Sequence, residues 1–124
     1  MHFNSGPLAE TWFADYLEAR GWKLLQRNLR TPYGEIDILA ISRRPSRLVA
    51  VEVKARSSFA WLPAEESLRP GQLRRLREAL QWIAQEKKWN GALSVDLAVI
   101  HLVPGAEPEL VAFGPVDDGF DRLL

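Results

Sequence analysis

The sequence predicts an α/β domain with a mixed central sheet covered by helices, in the order α-β-β-β-α-β-β. Three observations lead there. Apolar residues recur at helical spacing in two separated stretches, aliphatic runs of strand length lie between and after them, and turn chemistry separates the runs. No internal repeat, low-complexity tract or linker divides the 124 residues, so residues 1–124 are read as one folded unit.

The first helix is carried by Ala9, Trp12, Phe13, Tyr16 and Leu17, with Ser5 as N-cap, Pro7 in the first turn and Gly21 as the stop. Residues 22–29 read as a short strand, closed by the turn Thr31-Pro32-Tyr33-Gly34. Residues 35–41 and 48–54 contain only aliphatic apolar side chains, many of them β-branched, and read as two strands joined by a polar hairpin connection over residues 42–47. A long second helix spans residues 69–88, with Leu73, Leu76, Leu80, Ile83 and Ala84 on one stripe and Asn90-Gly91 ending it. Residues 94–103 read as a buried strand, residues 104–108 as a turn and residues 109–113 as a short final strand.

Composition narrows the function classes. The chain is 47% hydrophobic and 26% charged, the balance of an ordinary soluble globular protein. Without cysteine there is no disulfide, thiolate zinc site or thiol nucleophile. Residues 1–10 lack the basic start and apolar stretch of a signal peptide and no segment is long enough to span a bilayer, so a cytoplasmic protein with no membrane partner is expected. Sixteen basic and sixteen acidic residues give zero formal charge, which argues against coating nucleic acid by bulk electrostatics. Charge is nonetheless grouped: Arg69, Arg74, Arg75 and Arg77, then Arg43, Arg44 and Arg47, and acids at Asp117, Asp118 and Asp121. Solvated helix and loop charges explain such groups as readily as a binding patch does.

The chemistry concentrates on the two middle strands. Side chains two apart share a face, so Glu35 and Asp37 lie on one side of the first, and Glu52 and Lys54 on one side of the second. A hairpin symmetric about its turn sets Asp37 opposite Glu52 and Glu35 opposite Lys54. Two ionised carboxylates about 5 Å apart repel by about 3 kcal/mol at an effective dielectric near 20. A divalent cation between them removes that repulsion while keeping both charges; sharing a proton is the other remedy. With only oxygen donors in reach the cation is magnesium, with manganese as a substitute. Lys54, one pleat beyond, points at the same locus and can stabilise a pentacovalent phosphate or assist the attacking water. A cross-strand ion-pair cluster, Glu35 with Lys54 and Asp37 with an arginine, is the competing structural explanation.

The runs Gly34-Glu35-Ile36-Asp37-Ile38-Leu39-Ala40 and Val51-Glu52-Val53-Lys54-Ala55-Arg56 resemble the signature of the small bacterial YraN-like proteins, predicted endonucleases of the PD-(D/E)XK superfamily that are similar to Holliday junction resolvases. Gly6, Ala9 and Glu10, then Gly21, Asn28 and Val95-Asp96, extend the resemblance over most of the chain. It implies a restriction-endonuclease-like α/β/α sandwich and a magnesium-dependent DNA endonuclease acting on branched or structured DNA in repair or recombination. It also implies that Asp37 and Glu52 hold metal, that Lys54 is catalytic and that Glu10, on the flank of the first helix's apolar stripe, is a further metal ligand. A solvated glutamate near the helix N-terminus is the plainer reading of Glu10. Ile36 replaces the proline of the superfamily name without touching the aspartate. Gln72 stands where family members often carry lysine, so a charge toward substrate is lost there.

Arg56, Gln72, Arg74 and Arg75 are the candidate DNA contacts, together with Trp61, which with Phe59 can stack on exposed bases, form a dimer contact or pack under a loop. Trp12, Trp22 and Trp82 belong to apolar patterns; Trp89 stands near a helix end. His101 reads as a structural histidine, Ser57 and Ser58 have no triad partners, and no glycine-rich phosphate loop is present. A homodimer fits the cutting of two strands. The alternative function is a non-catalytic nuclease-fold module that binds nucleic acid or protein.

Overall fold

The structure is a computed structural model that describes residues 5–56 and 68–116. Its elements are α1 (Ser5–Ala19), β1 (Lys23–Thr31), β2 (Gly34–Ile41), β3 (Arg47–Arg56), α2 (Pro70–Glu86), β4 (Ala92–His101) and β5 (Glu109–Pro115). The order is the one expected, and the five strands form one mixed sheet in the order β1-β2-β3-β4-β5. All neighbours are antiparallel except β3 and β4, which run parallel from Arg47↔Ala92 to Arg56↔His101. A parallel pair needs a crossover, and α2 lies in it.

Each helix seals one face of the sheet, giving the α/β/α sandwich. Alternation on β3 shows how: Leu48 and Ala50 pack toward α2, Val49 and Val51 toward α1, and all four are buried. A strand covered on both sides has no polar face, which is why these stretches read as continuous aliphatic runs. On α1 the side chains of Ala9, Phe13 and Leu17 are fully buried, one per turn, while Trp12 and Tyr16 flank them half-exposed. On α2 the buried stripe is Leu73, Leu76, Leu80, Ile83 and Ala84, as the spacing predicts, with Ala79 added. Removing a large buried side chain from either stripe costs roughly 2–5 kcal/mol.

The helix ends show one expectation met and one corrected. At α1 the Trp22 amide bonds to the Leu17 carbonyl and the Gly21 amide to the Glu18 carbonyl, at 3.1 and 3.0 Å, with Gly21 at φ +84°. This is a Schellman cap on the predicted stop residue. At α2 the same pair of bonds, Trp89 to Ala84 and Lys88 to Gln85, closes on Lys88 at φ +55° instead of on Asn90-Gly91. Burial decides the difference, since Trp89 must follow the cap at once to pack against the α2 core. The strand limits shift by at most two residues. Pairing of Arg47 with Ala92 and of Asp96 with Pro115 pulls extra residues into β3, β4 and β5.

The two caps yield a paired prediction. A Cβ at position 21 would press on the Arg43 side chain, with its Nη1 2.8 Å away, but that chain can yield; the positive φ cannot. Gly21→Ala is expected to destabilise the protein by about 1 kcal/mol or more, and Lys88→Gly to stabilise it by about 0.5–1 kcal/mol, because only the second substitution relieves a left-handed residue. Urea denaturation of both variants beside the wild type checks the opposite signs.

Candidate active site

The turn before β2 is fixed by Thr31, whose hydroxyl donates to the Gly34 carbonyl at 2.6 Å and accepts from the Tyr33 amide at 3.1 Å. From that turn β2 runs along β3 in the register Ile41↔Leu48, Ala40↔Val49, Leu39↔Ala50 and Ile38↔Val51. The symmetric register expected from the hairpin holds, and the next position would pair Asp37 with Glu52. The backbone ladder stops one step short of it. Asp37 Oδ2 accepts a hydrogen bond from the Val53 amide at 2.9 Å, so a side-chain carboxylate takes over where a carbonyl of β2 would have served. The strands therefore part at the point where the acids meet.

Glu52 is 7% exposed, on the face that α2 covers. Its Oε2 accepts from the Gln72 side-chain amide and lies 3.2 Å from Lys54 Nζ. Burial, and then the charge of Asp37 and a hydrogen bond with it, push the Glu52 carboxyl up to about 7, against the lowering effect of Lys54. Desolvation is the larger part of that shift, and the nearby Asp37 charge adds to it more than Lys54 takes away. Asp37, Glu52, Gln72 and Arg75 line one cavity of about 280 Å³, with Tyr33, Gly34 and Glu35 at its side.

Glu10 approaches from α1. It is nearly buried, and burial and the charge of Asp37 raise its pKa, while Arg27 and Asn28 lower it. Its Oε1 lies 3.3 Å from the Arg27 guanidinium, which also donates to Thr11 Oγ1 at 3.0 Å. Glu10 thus feels Asp37 electrostatically but is tied to Arg27, and it does not line the cavity. Among the described residues no group of three or more His, Cys, Asp or Glu side chains is arranged to hold an ion. Asp37 and Glu52 line the cavity together with a third carboxylate, Glu35.

Sequence reasoning missed two residues of this neighbourhood. Arg27↔Ile38 and Leu29↔Ile36 pair across β1 and β2, which leaves Asn28 level with Asp37, at φ +52° and near enough to Glu10 to lower its carboxyl. Asparagine is enriched in the left-handed region, so an asparagine inside a strand is a weak signal of an interrupted ladder. Arg27 gave no signal, since its partner lies seventeen residues away. Glu35 pairs with Arg30 across β1 and β2, and Lys54 takes Glu52 on its own strand; the symmetric pairing of Glu35 with Lys54 is not formed. Arg74 is exposed on α2, Arg56 is half-buried at the end of β3, and Trp61 and Phe59 lie outside the described residues.

Residues 9–100 match the model of the uncharacterised protein family UPF0102. The chain belongs to the UPF0102 family. The matched stretch contains Glu10, Asn28, Asp37, Glu52, Lys54 and Gln72. A UPF0102 protein of Methylococcus capsulatus is 39% identical over 102 residues, covering 82% of this chain and 80% of that one. The UPF0102 protein of Renibacterium salmoninarum is 36% identical over 106 residues, covering 85% and 88%. These relatives bear out the resemblance to the YraN-like proteins. Among solved structures, Pyrococcus furiosus SfsA in complex with Ca2+ aligns with a TM-score of 0.49 at 12% identity, over 90% of this chain and 64% of that chain.

The Glu52 shift has a measurable consequence for this UPF0102 chain. A raised folded-state pKa means the native state binds more protons than the unfolded state between the ordinary value of 4.5 and about 7. Stability contributed by the protonated form is full below that window and is lost as pH rises through it. A shift of this size corresponds to about 3 kcal/mol. Urea denaturation from about pH 4 to pH 8 is expected to show the wild type losing stability relative to Glu52→Gln by up to that amount. Parallel profiles would contradict the assignment.

Proposed function

We propose that this protein is a metal-dependent DNA endonuclease, hydrolysing phosphodiester bonds at the Asp37–Glu52–Lys54 cluster. The observation that carries the reading is the meeting of Asp37 and Glu52 in one cavity, with the Glu52 carboxyl pushed up to about 7 and Lys54 Nζ 3.2 Å from it. A crowded pair of oxygen donors with no histidine or cysteine suits a small hard cation, and magnesium or manganese fits donors of this kind. Asp37 and Glu52 would hold it, and Glu10 would join them if released from Arg27. A bound magnesium ion would neutralise phosphate charge and lower the pKa of an attacking water.

The chain's own groups have separable tasks. Lys54, held by Glu52, supplies positive charge toward the phosphate as negative charge develops on it. The Val53 amide fixes one Asp37 oxygen, which orients the carboxylate and leaves the other oxygen for binding. Arg75 lines the same cavity and can pair with a neighbouring phosphate, and Arg74 is exposed one residue earlier on α2. Arg56 and Trp61 are assigned to DNA by the sequence pattern. Branched DNA as substrate, and a role in repair or recombination, rest on the resemblance to resolvases. A homodimer would present two such sites for two strands.

A second reading is favoured by one contact. Gln72 donates to the Glu52 carboxylate at a place where family members often carry lysine, and a neutral amide offers less attraction to phosphate. A module that binds DNA or protein without cleaving it would tolerate that exchange. The two readings separate on a panel of linear, flapped and branched DNAs with magnesium or manganese. The nuclease is expected to cut at least one substrate, to lose the activity in Asp37→Ala and to lose about 100-fold or more in Lys54→Ala. Cleavage that persists in both variants belongs to a contaminant, and binding without cleavage supports the module.

A further inference from the structure

A larger cavity, of about 600 Å³, opens on the α1 face beside the connection between β2 and β3, at the other end of these strands from Asp37. Asp96 is at its floor, 4% exposed, with Oδ1 accepting from the Ser94 hydroxyl at 2.5 Å. Trp22 and Phe113, with ring centroids 5.6 Å apart, line it as well. Arg20, Arg43, Arg44 and Arg47 also line it, and among the described residues none of these four has a carboxylate oxygen within 4.0 Å. They are held in place by other means. Arg20 stacks over the Tyr16 ring at 3.5 Å, and Arg43 lies against Gly21. The Ser42 hydroxyl ties the connection by donating to the Pro45 carbonyl at 2.7 Å and accepting from the Arg47 amide at 3.0 Å.

Four guanidiniums line the cavity against one carboxylate, that of Asp96, on which Arg47 acts electrostatically; positive charge is in excess there, and a phosphorylated ligand relieves that excess through paired N–H donors. A site for phosphate alone has no use for a carboxylate at its floor, which would repel the anion. A ligand that is anionic at one end and carries hydrogen-bond donors at the other satisfies both, and an aromatic wall suits a flat, polarisable ring. The volume lies in the range of small-molecule pockets. Burial pushes the Asp96 carboxyl up, so a donor reaching it would offset part of the cost of holding it there.

We propose that this cavity binds a nucleotide, with its phosphates on Arg43, Arg44 and Arg47 and the donor edge of its base on Asp96 beside Trp22 and Phe113. Asp96 is level with Val51 on β3 and shares the α1 face with it, whereas Glu52 lies on the α2 face. The nucleotide site is therefore separate from the metal cluster and does not rest on its hydrolytic role. The nucleotide can be free or an unpaired residue of a strand, since the recognising chemistry is the same.

Calorimetric titration in EDTA, with guanosine diphosphate, pyrophosphate and a four-residue guanine-containing single strand, tests this with the metal cluster disabled. Guanosine diphosphate or the strand is expected to bind at least tenfold tighter than pyrophosphate, and whichever of the two binds tighter identifies the source. Asp96→Asn is expected to erase the advantage over pyrophosphate, and Arg47→Gln to weaken every probe at least tenfold. Arg44→Ala, in the exposed connection, gives a second reading of the phosphate contact should Arg47→Gln disturb folding. In EDTA, Asp37→Asn is expected to leave the affinity for each of these three probes unchanged. Pyrophosphate binding as tightly as the nucleotide, no binding at millimolar concentration, or loss of binding in Asp37→Asn would each overturn the proposal.

Discussion

The hydrogen bond from the Val53 amide to Asp37 organises the candidate active site. Up to Ile38↔Val51 the two central strands are an ordinary antiparallel ladder; one step further the backbone pairing gives way to a side chain. That exchange holds Asp37 where the strands part, close enough to Glu52 for its charge to raise the Glu52 carboxyl. It also lets Asp37 act on Glu10, which α1 brings from the opposite face. Had the ladder continued, Asp37 would have been an ordinary strand residue on one side of the sheet, out of reach of one of the two helices.

The acids gathered there are matched incompletely. Lys54 answers Glu52 and Arg27 answers Glu10, yet both carboxyls remain raised because burial and Asp37 outweigh these partners. At the other end of the hairpin the imbalance reverses, with four arginines around one buried aspartate. Zero net charge therefore conceals two local fields of opposite sign, and each is anchored by a strand on which an acid interrupts an aliphatic run. Local placement, more than total charge, decides what such a chain can bind.

Much of this was legible in the sequence, and the limits are physical. Two-sided burial made β2, β3 and β4 readable as aliphatic runs, and hairpin symmetry gave the Asp37–Glu52 opposition, because register follows from a short connection. Gly21 announced its cap, whereas Lys88 did not, since a lysine adopts the left-handed region only where tertiary packing of Trp89 demands it. The Arg27–Glu10 pair and Asn28 opposite Asp37 depend on how α1 docks and how β1 registers, neither of which local pattern encodes. The arginine-lined cavity joins α1, the β2–β3 connection, β4 and β5, so its parts were visible singly and their convergence was not.

In the proposed mechanism Asp37 and Glu52 together would seat a small divalent cation. Titrating manganese into the wild type and into Asp37→Asn, followed by the loss of the free-ion paramagnetic resonance signal, tests it most directly. Saturable binding by the wild type, weakened at least tenfold in the variant, is the predicted result. Equal binding by both proteins, or none by either, would contradict it.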